Sequence, residues 1–205
     1  MIYAILLAAG ESKRMGVLKQ ILPFGKSTVI ETVIDSLWES DIEKVKIVLG
    51  YRSEEISGAI GNRKVDIVIN RNYKKGMLSS IKCGISSLPE DAEAFLLCLV
   101  DQPAIMSSDI NKLIKAYKNS GKRIVIPAYN GKRGHPIIFD RKYIDDILNL
   151  KEDGDGLREV VWKNSQDIFE VDIKNEYILQ DMDIVDEYEE MLRIVKCKSQ
   201  NEKSK

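Results

Sequence analysis

Leu7-Ala8-Ala9-Gly10-Glu11-Ser12-Lys13-Arg14-Met15-Gly16, followed by Lys19, is the stretch on which the fold turns. It closes an almost unbroken apolar run, Ile2 to Ala8, of the kind expected for a strand covered on both faces. Small residues then lead into a loop that carries Ser12, Lys13, Arg14 and Lys19. Small side chains let a ligand approach the backbone, and successive N–H groups of such a loop can cradle phosphate. Arg14 can span two phosphate oxygens, whereas Lys19 brings a mobile point charge. Alone, Lys13 reads as a solvated surface lysine. The whole string reads as a phosphate-handling loop set directly behind a first β-strand.

From that strand outward, strands and helices alternate. Val29, Ile30, Val33, Ile34, Leu37 and Trp38 recur at helical spacing. Val45–Leu49 and Val65–Ile69 read as strands, with a helix marked by Leu78, Ile81, Ile85 and Leu88 after them. Phe95–Val100 is the most buried-looking strand, and Ile110, Leu113, Ile114 and Tyr117 form a helical stripe that Ser107 or Ser108 would cap. This order predicts an α/β fold of three layers, α/β/α, around a mostly parallel sheet with right-handed crossovers. Later, Ile124–Pro127 and Pro136–Phe139 flank a turn at Asn130-Gly131 and read as an antiparallel element. Asp167–Val171 reads as a late short strand and Ile184 to Val195 as a closing helix. Residues 1–195 are expected to form a single domain, and 196–205 a polar, frayed tail.

In open sheets of this kind ligands bind beyond the carboxyl ends of the strands, so Ala9-Gly10, Gly50-Tyr51, Asn70 and Asp101 should line one crevice. Asp101 follows six apolar residues. A carboxylate there is costly unless it is paired or bound to metal, and hard oxygen ligands suit Mg²⁺, which clamps triphosphate oxygens. The competing reading is a turn or capping aspartate. Gly25-Lys26-Ser27-Thr28 looks like the end of a P-loop, but the first glycine of that motif would fall at Gln20, so the pattern fails and Ser27 or Thr28 reads as a helix cap.

The 205 residues hold 31 Lys plus Arg against 32 Asp plus Glu. That balance argues against a general nucleic-acid binder, which needs a net basic face. No apolar run approaches the ~20 residues of a membrane helix. Cys83, Cys98 and Cys197 make neither a CxxC pair nor a metal spacing, which suits a reducing, cytoplasmic setting.

The L-A-A-G-x-S-x-R-M-G-x-x-K string resembles the MobA-like nucleotidyltransferases, and within them the molybdenum cofactor cytidylyltransferases. Leu22-Pro23-Phe24-Gly25, the segment from Asn70 to Gly84, Val100-Asp101-Gln102-Pro103 and Gly134-His135-Pro136 are similar to family motifs too. The resemblance implies a Rossmann-like fold of the nucleotide-diphospho-sugar transferase type. It implies transfer of CMP from CTP to molybdopterin, with Mg²⁺ as cofactor and release of pyrophosphate. It gives the nucleotide to Leu7, Ala8, Ala9, Gly10, Ser12, Arg14, Lys19, Asn70, Gly76, Ser79 and Ser80, and catalysis to Arg14, Lys19 and Asp101. Metal binding goes to Asp101 and Asp183, with helix capping as the alternative for Asp183. His135 and Arg158 are implied on the acceptor side. Gly156-Leu157-Arg158 fits an acceptor-side motif whose preceding residues do not match. A glycine stands at the place of Ala9 in guanylyl-transferring relatives, so Ala9 points to CTP. Guanylyl transfer to the same cofactor, transfer to a sugar or polyol phosphate, and a non-catalytic cofactor carrier for a molybdenum hydroxylase apo-enzyme are the alternatives.

Overall fold

In a computed structural model of the chain, β1 (Ile2–Ala8) is buried at every position, as its unbroken apolar run requires. The structure describes the backbone of residues 1–202 and side chains through residue 193, so the tail expected at 196–205 lies outside the described residues in its side chains and its last three positions. Behind β1 the chain makes a small antiparallel ribbon, β2 (Pro23–Phe24) with β3 (Ser27–Thr28), and enters α1 (Val29–Trp38). Then β4 (Lys44–Leu49), α2 (Ser53–Ile60), β5 (Asp66–Ile69), α3 (Met77–Ser86) and β6 (Ala94–Leu99) complete an alternating half. Next come α4 (Ser107–Ser120), β7 (Ile124–Tyr129), β8 (Lys132–Arg133) and β9 (Ile137–Asp140). Two short helices, α5 (Ile144–Leu148) and α6 (Leu157–Lys163), precede β10 (Ile168–Asp172) and α7 (Val185–Glu202).

The sheet runs β10-β7-β9-β6-β1-β4-β5, with β8 paired to β7. β6, β1, β4 and β5 are mutually parallel, so their carboxyl ends share one edge. The expected late antiparallel element is β9, which pairs antiparallel with both β6 and β7. Asn130 (φ 49) and Gly131 (φ 74) turn β7 back through β8, and β9 follows along the same edge of β7, antiparallel to it. Two positive-φ residues are what a two-residue hairpin needs.

β1 alternates between two cores, which produces the three layers. Ile2, Ala4 and Leu6 pack with Ile30, Ile34 and Leu113 of α1 and α4, whereas Ile5 and Leu7 pack with Ile81 and Ile85 of α3. At the start of α1 Thr28 caps the helix and Glu31 returns a bond to it, a reciprocal capping box. The caps expected at Ser107 or Ser108 are displaced. α4 already begins at Ser107, Met106 holds the cap position, and the Asp109 carboxylate accepts from the Met106 N–H at 3.4 Å. The acid three residues on takes the place of a serine hydroxyl.

Candidate active site

The loop behind β1 is held by one side chain that has no periodic signature in the sequence. Gln20 is fully buried, and its Nε2 donates to the carbonyls of Gly10 at 2.9 Å and Ala8 at 3.3 Å. Its Oε1 accepts from Ser12 Oγ at 3.3 Å, and Ser12 Oγ in turn accepts from the Lys19 N–H at 3.3 Å. The Ser12 carbonyl takes the amides of Met15 and Gly16, at 3.1 and 3.2 Å. Ser12 (φ 52) therefore shapes the loop as well as facing the cleft.

Lys19 is 7% exposed and aims its ammonium at two carboxylates, Asp101 Oδ2 at 2.6 Å and Asp183 Oδ1 at 2.8 Å. Arg14 donates to the other oxygen of Asp183. Burial pulls the Lys19 ammonium down, yet Asp101 and Asp183 outweigh it and hold its pKa above the ordinary lysine value. Burial likewise opposes ionisation of Asp183, but Lys19 and then Arg14 keep its carboxyl below the usual range. The Asp183 side chain does not cap α7. Glu187 accepts the amides of Asp183 at 2.7 Å and Ile184 at 3.1 Å, so the Asp183 carboxylate is left to the cleft.

Asp101 is carried on the end of β6, and the Met182 N–H donates to its carbonyl at 2.9 Å, which ties the returning chain to that end. Its Oδ1 is buried without a partner among the described residues. Behind it Gln102 donates to Asp181 Oδ1 at 2.9 Å. Burial, then the charge of Asp101, pushes the Asp181 carboxyl up. His135 is half-buried and joined to Pro136 by a cis peptide bond. Burial lowers its pKa, with Asp101 pulling the other way.

A cleft of about 400 Å³ opens at this edge. Leu7, Ala9, Gly10, Ser12, Arg14 and Lys19 line it, joined by Gly76, Ser80, Asp101 and Asp183 from distant segments. Other expected residues do not reach it. Ala8 is buried and gives only its carbonyl, to Gln20. Asn70 is buried and consumed by its neighbours. Its amide donates to Ser79 Oγ at 3.0 Å and Ser80 Oγ at 2.9 Å, and its oxygen accepts from the Asn72 N–H at 2.9 Å. Asn70 and Ser79 thus buttress the wall that Ser80 and Gly76 present. His135 and the exposed Arg158 lie outside the lining as well. Gln20, Tyr73 and Lys74 line the cleft without having been expected there. Only Tyr73 had a signal, as the aromatic residue of the Asn70–Gly84 segment.

Residues 4–168 match the model of the MobA-like NTP transferase domain. The chain is 28% identical over 185 residues to the molybdenum cofactor cytidylyltransferase of Escherichia coli K12, covering 90% of this chain and 92% of that protein. It is 26% identical over 199 residues to the nicotine blue oxidoreductase of Paenarthrobacter nicotinovorans, covering 93% and 95%. The crystal structure of Rv0371c from Mycobacterium tuberculosis H37Rv superposes with a TM-score of 0.83 at 24% identity, covering 94% of this chain and 97% of that one. A manganese complex of the same protein superposes at 0.79.

Proposed function

Since the chain belongs to the MobA-like NTP transferase family, we propose that it transfers CMP from CTP to the terminal phosphate of molybdopterin and releases pyrophosphate. Nucleotidyl transfer is the activity of the family to which it belongs. The acceptor and the base are supported by the likeness to a cytidylyltransferase of the molybdenum cofactor, and by alanine rather than glycine at Ala9. Overall likeness extends to an oxidoreductase as well, so the reading leans on one local observation. Lys19, Asp101 and Asp183 meet within hydrogen-bond distance beside the loop behind β1.

The residues present fit a divalent cation. Two carboxylates converge on one cationic position, held here by the Lys19 ammonium, and one buried Asp101 oxygen has no partner among the described residues. Asp101 and Asp183 would hold Mg²⁺, which at such sites rests on one or two carboxylates and substrate phosphates. When bound it would supply charge neutralisation for the triphosphate.

The loop amides from Ala9 to Arg14 seat the triphosphate. An oxygen of the acceptor phosphate attacks the α-phosphorus. The new O–P bond forms as the bond to the bridging oxygen of the β-phosphate breaks, and the electron pair leaves with pyrophosphate. A phosphate monoester is ionised at neutral pH, so no side chain has to remove a proton, and His135 is not needed as a base. Arg14 and Lys19 turn from Asp183 and Asp101 to the transferring and departing phosphates, so the chain's contribution is position and charge.

Pyrophosphate release, measured with CTP, GTP, UTP and ATP singly and with and without molybdenum-loaded pterin, tests this. Turnover is expected with CTP and only when the pterin is present. Turnover with GTP alone would overturn the reading of Ala9. Binding of cofactor without release from any nucleotide would replace the enzyme with a carrier.

A further inference from the structure

Tyr73 has no part in the transfer described above, yet the fold places it with care. It opens the short turn of 3-10 helix between β5 and α3, Tyr73–Lys75. Gly50, at the carboxyl end of β4, decides how near the ring comes to the sheet. A Cβ on Gly50 would lie 2.6 Å from Tyr73 Cβ and 2.8 Å from its Cγ, so any larger residue would drive the tyrosine away. The ring of Tyr51 packs beside it, centroids 6.2 Å apart and planes tilted by 53°.

The sheet order sets Tyr73 against the ionic group. Asp101 follows β6, Tyr73 leans on the end of β4, and β1 with its loop lies between them. Two strand spacings, about 10 Å, separate the two ends. The same cleft therefore holds the ion pairs around Asp101 and, away from them, aromatic and apolar surface from Tyr73, Leu7 and Met77 beside Lys74 and the Lys13–Glu11 pair. A nucleoside triphosphate has that division within one molecule, with a charged tail and a flat, π-faced base.

We infer that Tyr73 is the platform on which the nucleobase stacks, held at its level by the absence of a side chain at Gly50. The inference rests on the nucleotidyl-transfer reading of the cleft and deepens it. Stacking on an aromatic face is tolerant of base identity, because every base has a π-face. Tyr73 accordingly supplies affinity and orientation for any nucleotide, and polar contacts elsewhere choose among them.

Calorimetric titration of the full chain with CTP, GTP and inorganic tripolyphosphate, each with Mg²⁺, separates base from phosphate. Tyr73→Ala should weaken both nucleotides about tenfold or more and leave tripolyphosphate binding as in the wild type. Tyr73→Phe should bind all three normally, and Tyr73→Leu, which keeps apolar packing on Gly50, should behave like Tyr73→Ala. In pyrophosphate release the loss should appear in KM for the nucleotide and not in kcat. Unchanged nucleotide affinity in Tyr73→Ala and Tyr73→Leu would overturn the inference. Equal loss of tripolyphosphate would overturn it too, by assigning Tyr73 to scaffolding. Failure of the wild type to bind tripolyphosphate would be a different failure, since it removes the transfer reading and the inference with it.

Discussion

Lys19 Nζ and Asp183 Oδ1 stand 2.8 Å apart across 164 residues of chain. The same ammonium holds Asp101 at 2.6 Å, while Arg14 holds the far oxygen of Asp183. Charges in the cleft thus neutralise each other. Ligand binding exchanges partners, which avoids the cost of leaving a buried charge unpaired.

Lys19→Ala leaves two part-buried carboxylates facing each other without their cation. Without metal the variant should lose about 2 kcal/mol of stability. Mg²⁺ or Mn²⁺ should then raise its melting temperature more than that of the wild type, because no ammonium competes for the carboxylates. Turnover should fall at least about 100-fold. Equal metal-induced shifts in the two proteins, read by scanning fluorimetry, would count against the shared cation position.

Asp101→Asn keeps shape but removes charge from the end of β6. The bond from the Met182 N–H runs to the Asp101 backbone carbonyl, so the chain tether survives the substitution. Pyrophosphate release should fall by about 10³-fold with an unchanged circular dichroism spectrum. Near-normal release would refute the role given to this carboxylate.

Gly134→Ala tests how the returning segment is positioned. A Cβ at Gly134 would lie 2.1 Å from the Ile178 carbonyl oxygen and 2.8 Å from its carbon, and both atoms belong to backbone. That carbonyl accepts the His135 N–H at 3.0 Å, and the segment continues to Met182 and Asp183. The variant should lose about 2 kcal/mol and, through displacement of Asp183, about 10- to 100-fold in turnover. Wild-type kinetics in a folded variant would show that Asp183 is placed by other contacts.

Glu31 gives a pH dependence of known sign. It accepts from the Thr28 N–H at 2.7 Å and from Arg63 at 2.8 Å. The Thr28 amide is the first cause of its lowered pKa; burial opposes, and the Thr28 hydroxyl and Arg63 add to the lowering. A carboxyl with a depressed folded pKa stabilises above the unfolded value, and that gain is lost as pH falls through the folded one. Glu31→Gln should cost about 1 kcal/mol near neutrality. The gap between variant and wild type should close as pH falls below the ordinary 4.5. A gap constant with pH, by urea denaturation, would contradict the charge-based account.

The loop behind β1 and Asp101 were legible because each is a polar departure from an apolar run, a contrast that needs no partner to be seen. Asp183 was legible only by resemblance. Its local sequence suits a cap equally well, and only the position of Glu187 separates the two. Gln20 could not be read at all, since its importance arises when the loop folds back over it. His135 and Arg158, implied on the acceptor side, lie outside the lining of this cleft. Asn70 and Ser79 fell within the right segment but on its inner side. In the fold, the Asn130-Gly131 turn was read correctly as a hairpin; β8 forms its tip, and β9 continues along the same edge of β7, opposite β10.

The insertion of β9 between β7 and β6 gives the sheet a seam. β6 and β7 follow one another among the main strands yet never touch, and among the described strands β9 alone bridges them. If the hydrogen bonds of β9 open, β6-β1-β4-β5 and β8-β7-β10 each remain internally paired. Amide exchange should therefore divide the sheet into two units of different persistence, with the loop behind β1 in the first and Asp183 arriving from beyond the second.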